Sequence, residues 1–386
     1  MKIDAPFLTD PALHNVMMVL DNAGYRTFIV GGAIRNAVLG KPTGDVDIAT
    51  DAHPQNVLNL VQSAGLKAIP TGIEHGTVTV IVNGTPFEVT TFRRDIETDG
   101  RRAIVAFSDR IEDDAARRDF TMNALYATTD GKVIDPIGGW SDLNQRKLRF
   151  VGNPTTRIRE DYLRILRFFR FLAWYGKHSD PDAIRAIHSE YRGLDRVSAE
   201  RIGAELRKLL TAPNPAPAIR LMQDTGVLVR ILPDADPSRL PALITAETGY
   251  AISPDWRRRL AVMTSSNLSD RLRLSRNEAT YLSRLNPAQE ETLAEIAFHN
   301  GAEIARDVAL IRLASDWPVK PDWPKHTLHA STSPLPVSAA DLMPELTGPA
   351  IGRGLKAAEE LWIKTNFTAS KTELIKAAHQ TDTGKN

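Results

Sequence analysis

The chain has 386 residues, more than a single hydrophobic core usually organises, so we expect about two to four packed units. A composition of 42% hydrophobic and 25% charged residues is typical of a globular protein, and a net charge of only +1 means that any contact with nucleic acid must use local basic surfaces. There is no cysteine, which excludes disulfides, thiolate zinc sites and a cysteine nucleophile, and no apolar run approaches the roughly 18 residues that a membrane span needs.

The first 140 residues alternate between helical and strand patterns, which predicts a small α/β domain. Helices are predicted at Pro11–Asn22, Gly32–Leu39, Pro54–Ala64 and Asp119–Tyr126, and strands at Arg26–Val30, Asp45–Ala49, Thr77–Val82 and Pro86–Phe92. Asn83-Gly84, before the last of these strands, is a strong hairpin signal. The charged segment Arg93–Phe107, with Asp99-Gly100 at its centre, predicts a mobile loop.

From about Pro154 onward helical periodicity dominates, and it predicts an extended all-α remainder. Breaks in this pattern are predicted at Asn214–Pro217 and Leu232–Pro241. The polar residues Thr381–Asn386 are expected to fray. Because the N-terminus lacks a signal-peptide pattern, we expect a cytoplasmic protein.

Asp45 and Asp47 are the most informative pair of residues. Two carboxylates two residues apart on a strand point to the same side, where hard oxygen ligands can hold Mg²⁺ against a phosphate. About 13 residues upstream, Gly31-Gly32 separates a predicted strand from a helix that carries Arg35, and backbone N–H groups at such a turn can receive phosphate oxygens. An Asp-x-Asp pair alone is more often a turn or a solvated strand end, but the whole set indicates two-metal nucleotidyl or phosphoryl transfer from a nucleoside triphosphate.

Glu88 lies in a neighbouring predicted strand and has two interpretations. It is either a third acidic metal ligand or an outward-facing strand residue, and the sequence favours neither.

Arg117-Arg118-Asp119-Phe-Thr-Met-Asn123 is a second group of polar residues. Arginine offers planar, multi-donor recognition of phosphate, whereas aspartate and asparagine can bind ribose hydroxyls. Asp119 is equally suited to cap the helix predicted to follow it, and both roles are compatible.

Glu160, Asp161 and Arg164 form a third group, in which spacings of three and four residues place the side chains on one face of a predicted helix. One interpretation is a surface ion-pair lattice. The other is base recognition, because cytosine and adenine both present an amino donor beside a ring-nitrogen acceptor. A carboxylate and a guanidinium match that edge, and uracil or guanine would leave polar groups unpaired.

These segments, together with Asp135-Pro-Ile-Gly-Gly139 and Ser198-Ala-Glu200-Arg201-Ile-x-x-Glu205, strongly resemble motifs of the class II tRNA nucleotidyltransferases. These CCA-adding enzymes share a family with bacterial poly(A) polymerases. The five motifs occur in family order over roughly the first 210 residues, and the ordered set is far more specific than any one motif.

The resemblance implies an α/β nucleotidyltransferase head, with a small mixed sheet and helices, followed by an all-α neck, body and tail. The implied boundaries are 1–140 for the catalytic head, 141–212 for the neck with its nucleobase-template helix, 213–300 for the helical body and 301–386 for a tRNA-binding helical tail. The expected partners are CTP, ATP, two Mg²⁺ ions and the tRNA 3′ acceptor arm, with no membrane. The oligomeric state stays open.

The resemblance also assigns roles residue by residue. Asp45 and Asp47 are implied as catalytic metal ligands, with Glu88 as a further candidate; Gly31, Gly32 and Arg35 as triphosphate-binding; Arg118, Asp119 and Asn123 as ribose- or phosphate-binding; and Glu160, Asp161, Arg164 and Arg167 as nucleobase-binding.

One departure from the family pattern is Asn36, where the family usually has aspartate after the arginine of its first motif.

The implied function is addition of C, C and A to tRNA. The alternatives are a poly(A) polymerase, a CC- or A-adding relative, and a tRNA-binding protein that has lost catalysis. The Arg93–Phe107 segment resembles the loop associated with the switch from C to A addition, although an ordinary surface loop would have the same composition.

Clustered arginines are candidates for RNA contact, although a charge run is usually a solvated face. They are Arg157, Arg159, Arg167 and Arg170 in the neck and Arg257, Arg258, Arg259, Arg271, Arg273 and Arg276 in the body.

Overall fold

The computed structural model describes residues 1–99, 102–286 and 291–380, with backbone alone for 95–99 and 102–104. It divides into two compact units, one of residues 1–233 and one from Asp234 onward, and each is described separately. The finer division at residues 140, 212 and 300 stays a prediction.

The first unit is built on a mixed sheet with strand order β3-β4-β5-β2-β1-β8-β9. The strands of this unit are β1 Thr27–Val30, β2 Asp47–Thr50, β3 Lys67–Gly72, β4 Thr77–Val82, β5 Thr85–Thr91, β6 Arg93–Asp99, β7 Arg102–Phe107, β8 Tyr126–Ala127, β9 Val133–Ile134, β10 Lys147–Leu148 and β11 His178–Ser179. In the sheet, β2 and β5 run parallel, whereas the other neighbouring strands run antiparallel. The predicted mixed-sheet head is thereby confirmed.

The helices of the first unit are α1 Pro11–Asp21, α2 Gly32–Val38, α3 Pro54–Ser63, α4 Ile111–Ala116, α5 Gly139–Asn144, α6 Pro154–Glu160, α7 Leu163–Trp174, α8 Pro181–Glu190, α9 Ala199–Leu210, α10 Ala216–Asp224 and α11 Val227–Ile231. The sequence signals for α1 act as expected, since the Asp10 carboxylate accepts from the Ala12 N–H at 2.8 Å and Pro11 is the first helical residue.

Two local predictions in the head are wrong. Asp45 precedes β2 rather than lying on it. No α-helix begins at Asp119; a short 3₁₀ turn at Thr121–Asn123 leads directly into β8, because Tyr126 and Ala127 pair with β1. Asp119 suited a helix N-cap, but strand pairing and burial decide the conformation of this segment.

The predicted loop Arg93–Phe107 is also different. Its backbone forms the antiparallel pair β6–β7, with Arg93 opposite Phe107. Charged composition suggested a loop, but backbone hydrogen bonds between two strands do not require an apolar face. Gly100 and Arg101 at its centre lie outside the described residues, as do the terminal residues predicted to fray.

An aromatic core joins the sheet domain to the helices that follow it. The ring centroids of Phe120 and Phe150 are 5.0 Å apart, and those of Phe150 and Phe168 are 5.5 Å apart. All three side chains are essentially inaccessible to solvent. Since Phe168 belongs to α7, this packing fixes that helix against the segment that carries Asp119.

The second unit is helical. Its helices are α12 Leu240–Gly249, α13 Trp256–Ala261, α14 Arg276–Arg284, α15 Leu293–Ala314, α16 Trp323–Ser331, α17 Ala339–Leu342, α18 Pro349–Lys364 and α19 Lys371–Gln380. The long α15 is interrupted at Gly301, which has a φ of +85°. No helix among the described residues is long and apolar enough to cross a membrane.

Two of the three consecutive arginines of α13 do not face the surface. Arg258 and Arg259 are 0% and 1% exposed. Both guanidinium groups donate to the Glu247 carboxylate at 2.7–2.9 Å, and Arg258 also reaches Asp307 at 2.7 Å. The sequence suggested a solvated or RNA-binding cluster, whereas burial and ion pairing make these two residues part of the core of the helical unit.

Replacing Arg258 by methionine should strongly destabilise the helical unit. The change leaves the Asp307 and Glu247 carboxylates buried with less compensation, which costs about 3–5 kcal/mol in comparable cases. The midpoint of urea unfolding measures the loss. Lys371→Met, which breaks a largely exposed pair with Asp341, should barely move the midpoint, and equal effects of the two substitutions would contradict the assignment.

Candidate active site

The metal-site candidates lie at one end of neighbouring strands in the sheet. Asp47 is the first residue of β2, and Ile48 pairs with Val89 on the parallel strand β5. Asp47 and Glu88 immediately precede Ile48 and Val89, so their side chains point to the same face of the sheet as each other. Glu88 is exposed, Asp47 is half-buried, and Asp45 is exposed in the segment that precedes β2.

These three carboxylates interact electrostatically. Burial raises the pKa of Asp47 to about 6, and the charges of Glu88 and Asp45 act in the same direction, while the Arg118 guanidinium opposes them. The site thus concentrates negative charge. In the part of the chain that the structure describes, no three acidic, histidine or cysteine side chains are arranged to hold a metal by themselves. Two or three carboxylates that share an ion with phosphate oxygens would match the usual preference of Mg²⁺.

The Gly31 turn brings the second group of residues to the metal-site candidates. Gly31 has a φ of +72°, a conformation that strongly favours glycine, and its N–H donates to the Leu125 carbonyl at 3.1 Å. A Cβ at this position would lie 3.4 Å from Nη1 of Arg118. The Arg118 guanidinium therefore lies close to the turn that precedes α2, and the positive φ is what favours glycine there.

Asp114 and Tyr126 hold the Arg118 guanidinium, and sequence reasoning missed both. The Asp114 carboxylate accepts from Arg118 Nη2 at 2.8 Å and from the Tyr126 hydroxyl at 2.7 Å. Burial alone would lower the pKa of Arg118, but the Asp114 charge raises it. The spacings Asp114–Arg117 and Asp114–Arg118 are the (i, i+3) and (i, i+4) spacings of helical ion pairs, a signal that the sequence did contain.

Arg35 is an internal brace in this structure. Its guanidinium donates to the Asn123 side chain at 2.6 Å and to the Asn36 side chain at 2.9 Å, and it lies 3.9 Å from the centre of the Tyr175 ring. The side chain is 7% exposed, and burial lowers its pKa. Direct contact of Arg35 with a triphosphate stays a prediction.

Asn36 completes this brace. Its oxygen accepts from Arg35, and its Nδ2 donates to the Pro42 carbonyl at 2.9 Å. An aspartate could accept from the arginine but could not donate to Pro42, which lies in the segment that leads to Asp45.

Asp119 connects the head to α7. Its Oδ1 accepts from the Asn123 amide at 3.0 Å, and its Oδ2 accepts from Arg167 Nε at 3.0 Å. Burial opposes ionisation, but the Arg167 charge and these hydrogen bonds lower the pKa of Asp119. Arg167, a candidate for base recognition, is therefore an ion-pair partner of a ribose-site candidate.

The predicted base-recognition group is brought together, but not on one helix. Glu160 ends α6, Asp161 follows in extended backbone, and Arg164 lies in the first turn of α7. Arg164 donates to Glu160 and, at 2.8 Å, to the carbonyl of Arg157. Asp161 accepts from Arg201 of α9 at 2.6 Å. The assumption of a shared helix face is wrong, and α9 supplies the missing support.

The candidate RNA-binding arginines separate into two environments. Arg157 is 8% exposed and donates to the main-chain carbonyl of Arg118 at 2.9 Å, so it does not present its charge at the surface. Arg170 is largely buried and pairs with Glu205 at 2.5 Å. Arg159 is exposed beside Glu190, and its contact with RNA stays a prediction.

Comparison with known proteins agrees with this geometry. Residues 27–149 match the model of the poly A polymerase head domain, and residues 179–238 match that of the probable RNA and SrmB-binding site of polymerase A. The first match contains the strands and turns that carry Asp47, Gly31 and Arg118.

Two curated relatives illustrate the similarity. The chain is 39% identical over 260 residues to CCA tRNA nucleotidyltransferase 1, mitochondrial, of Danio rerio, which is 65% of this chain and 60% of the relative. It is 42% identical over 214 residues to the CCA-adding enzyme of Geobacillus thermodenitrificans, 55% of this chain and 52% of the relative. The matches thus span about half to three fifths of the relatives' length.

Solved structures extend the likeness to nearly the whole chain. The Bacillus stearothermophilus CCA-adding enzyme in complex with CTP has a TM-score of 0.74 at 28% identity, with 97% of this chain and 99% of that chain covered. The Thermotoga maritima CCA-adding enzyme complexed with tRNA shares the fold at a TM-score of 0.71 and 21% identity, with 99% of this chain and 100% of that chain covered.

The fold and the arrangement of carboxylates around the Gly31 turn define the class: a nucleotidyltransferase head with a helical remainder. Within that class, the matched parts of the chain are similar to poly A polymerases and to CCA-adding tRNA nucleotidyltransferases.

The pH dependence of stability should report the Asp114 ion pairs. Burial alone would raise the pKa of Asp114, but Arg118 and Arg117 outweigh it and lower the pKa to about 2. The depressed pKa stabilises the folded state fully above about pH 4, and roughly 2 kcal/mol is lost as the pH falls from about 4 towards 2. Urea unfolding should show that wild type has a larger free energy of unfolding than Asp114→Asn, and that this difference becomes smaller below about pH 4. A difference in free energy of unfolding that does not change with pH would contradict this assignment.

Proposed function

We propose that the protein adds C, C and A to the 3′ end of tRNA, using CTP and ATP and two Mg²⁺ ions. One observation carries the proposal: Asp47 interacts electrostatically with Asp45 and with Arg118, and Arg118 lies beside the Gly31 turn. The names of the curated relatives, CCA tRNA nucleotidyltransferase and CCA-adding enzyme, support the choice of reaction and of tRNA as substrate.

Asp45 and Asp47 would hold the magnesium ions, with Glu88 as a further candidate ligand. The donor set fits, because carboxylate oxygens are hard ligands. The charges of Glu88 and Asp45, which add to burial in raising the pKa of Asp47, are negative charge that a divalent cation would neutralise. Bound Mg²⁺ would supply activation of the tRNA 3′ hydroxyl and neutralisation of the departing pyrophosphate.

The protein's own side chains would orient the nucleotide. Arg118 lies close to the Gly31 turn, where it would bind phosphate oxygens with a charge that does not depend on pH in the physiological range. Asn123 is held by Arg35 and by Asp119, so its orientation towards a ribose is fixed before the nucleotide arrives. Such preorganisation reduces the entropy lost when the substrate binds.

Asp161 and Arg164 would select the base. Arg164 is steadied by Glu160, and Asp161 is steadied by Arg201, so an acceptor and a donor are both held in place. This pair complements the amino group and ring nitrogen that cytosine and adenine share. The CTP complex of the Bacillus stearothermophilus structure, at 28% identity, supports nucleotide binding by this fold.

We further propose that the reaction takes place in the cytoplasm. The bacterial relatives support this location, although vertebrate relatives of similar identity carry mitochondrial names.

The decisive experiment is stepwise addition to tRNA that lacks its terminal CCA, with each nucleotide offered separately and together and the products sequenced. Wild-type protein should add two C residues from CTP and one A when ATP is also present. Addition of A alone to tRNA ending in CC would identify an A-adding enzyme, addition of C alone a CC-adding enzyme, and long runs of A a poly(A) polymerase.

Asp47→Ala should reduce incorporation by more than about a hundredfold while tRNA binding is retained, because it removes a metal ligand and leaves the helical units intact. The assay is incorporation of labelled nucleotide, paired with filter binding of tRNA. Asp4→Ala, a change at an exposed acid of the same unit, is the control. Equal incorporation by Asp47→Ala and wild type would indicate a tRNA-binding protein without this catalysis.

Arg164→Ala should relax base choice. With the donor lost, CTP and ATP no longer gain a hydrogen bond that UTP and GTP cannot make, so discrimination should fall roughly tenfold or more. Single-nucleotide incorporation with each of the four triphosphates measures the ratio. Arg220→Ala, which removes an exposed arginine elsewhere in this unit, should leave the ratio unchanged. Full selectivity in Arg164→Ala would exclude the proposed base recognition.

A further inference from the structure

The buried carboxylate of Asp114 is not one of the metal-site or base-recognition candidates. It is 1% exposed and accepts four hydrogen bonds from three side chains. Arg117 Nε approaches one oxygen at 2.8 Å. Arg118 Nη2, Arg118 Nε and the Tyr126 hydroxyl approach the other at 2.8, 3.2 and 2.7 Å. Both carboxylate oxygens accept hydrogen bonds from neighbouring side chains, so the orientation of the carboxylate is fixed.

This carboxylate also fixes Arg118. Asp114 and Tyr126 occupy Nε and Nη2 of its guanidinium, whereas Nη1 lies on the opposite side, against the Gly31 turn. The positive charge of Arg118 acts to lower the pKa of Asp47. Two nitrogen atoms are therefore used for support, and the third faces the region where the phosphates of a nucleotide would bind.

We propose that Asp114 is a positioning residue of the nucleotide site, which holds Arg118 so that Nη1 is presented to the triphosphate. This role rests on the proposed function, because it requires that a nucleoside triphosphate binds at the Gly31 turn. It assigns no chemical step to Asp114, which lies behind Arg118 and is closed off from solvent.

Asparagine cannot replace Asp114 in this role. An asparagine side chain has one acceptor oxygen and one amide nitrogen that only donates. Whichever way the amide is turned, its NH₂ group faces the N–H groups of Arg117 or of Arg118 and the Tyr126 hydroxyl. The substitution preserves shape and volume but removes the charge, so Arg118 loses its charge-assisted hydrogen bonds.

The chain provides a matched control for the stability effect of this change. In the helical unit, Glu247 is likewise a buried acid that pairs with two consecutive arginines, Arg258 and Arg259. Glu247→Gln should therefore destabilise the protein through the same kind of lost ion pair, at a place where we assign no nucleotide contact.

The experiment compares wild-type, Asp114→Asn and Glu247→Gln full-length proteins. Calorimetry gives the Kd for ATP in the presence of Mg²⁺ and absence of tRNA, and single addition of A to tRNA ending in CC gives kcat and KM for ATP. Urea unfolding gives the folded fraction at the assay temperature. We expect Asp114→Asn to raise both Kd and KM roughly tenfold, and Glu247→Gln to leave both within about twofold of wild type.

The outcomes separate this role from the function on which it rests. If wild-type protein binds ATP and Asp114→Asn binds it equally well, or only kcat falls in proportion to the folded fraction, Asp114 has a structural role alone and the inference is overturned. If Glu247→Gln raises Kd as much as Asp114→Asn, the effect is general destabilisation and the inference is again overturned. If wild-type protein does not bind ATP, the proposed function itself fails, and the positioning role fails with it.

Discussion

The interaction on which this active-site region most depends is the partly buried ion pair between Asp119 and Arg167. A carboxylate taken out of water has to be paired and hydrogen-bonded, and Asp119 satisfies this requirement with a guanidinium from α7 and an amide from its own turn. Asn123 is in turn held by Arg35, which packs on Tyr175 just beyond the end of α7. A series of hydrogen bonds therefore connects the head to α7, the helix that carries Arg164. Moving α7 would break several of these hydrogen bonds at once.

The sequence predicted the elements that local signals specify. The cap and proline of α1 and the Asn83-Gly84 hairpin appear as expected, because each depends on a few neighbouring residues. The segment after Asp119 does not form the predicted helix, since pairing with β1 and burial of Tyr126 decide its conformation. Long-range strand partners leave no signal in a single local window.

Paired arginines show a different limit of sequence reasoning. Arg117-Arg118 and Arg258-Arg259 look alike in the sequence, and both suggested contact with phosphate. In the structure, both arginines of each pair form ion pairs with one buried acid. This acid is Asp114 for the first pair and Glu247 for the second. Only Arg118 also lies beside a glycine turn and influences a candidate metal ligand. The difference arises from tertiary placement, so charge clustering alone could not distinguish a structural guanidinium from one that is presented to substrate.

The break between α6 and α7 alters the physical account of base selection. On a continuous helix, Asp161 and Arg164 would be positioned by helical geometry alone. Because Asp161 lies in extended backbone, its carboxylate is positioned by Arg201 of α9, while Arg164 is positioned by Glu160 and a main-chain carbonyl. Two separate supports hold the acceptor and the donor, and each can be adjusted independently. A wrong base is rejected most strongly when it leaves a rigidly held polar group unpaired. The rigidity supplied by α9 and Glu160 would therefore contribute to the proposed selectivity as directly as Asp161 and Arg164 themselves would.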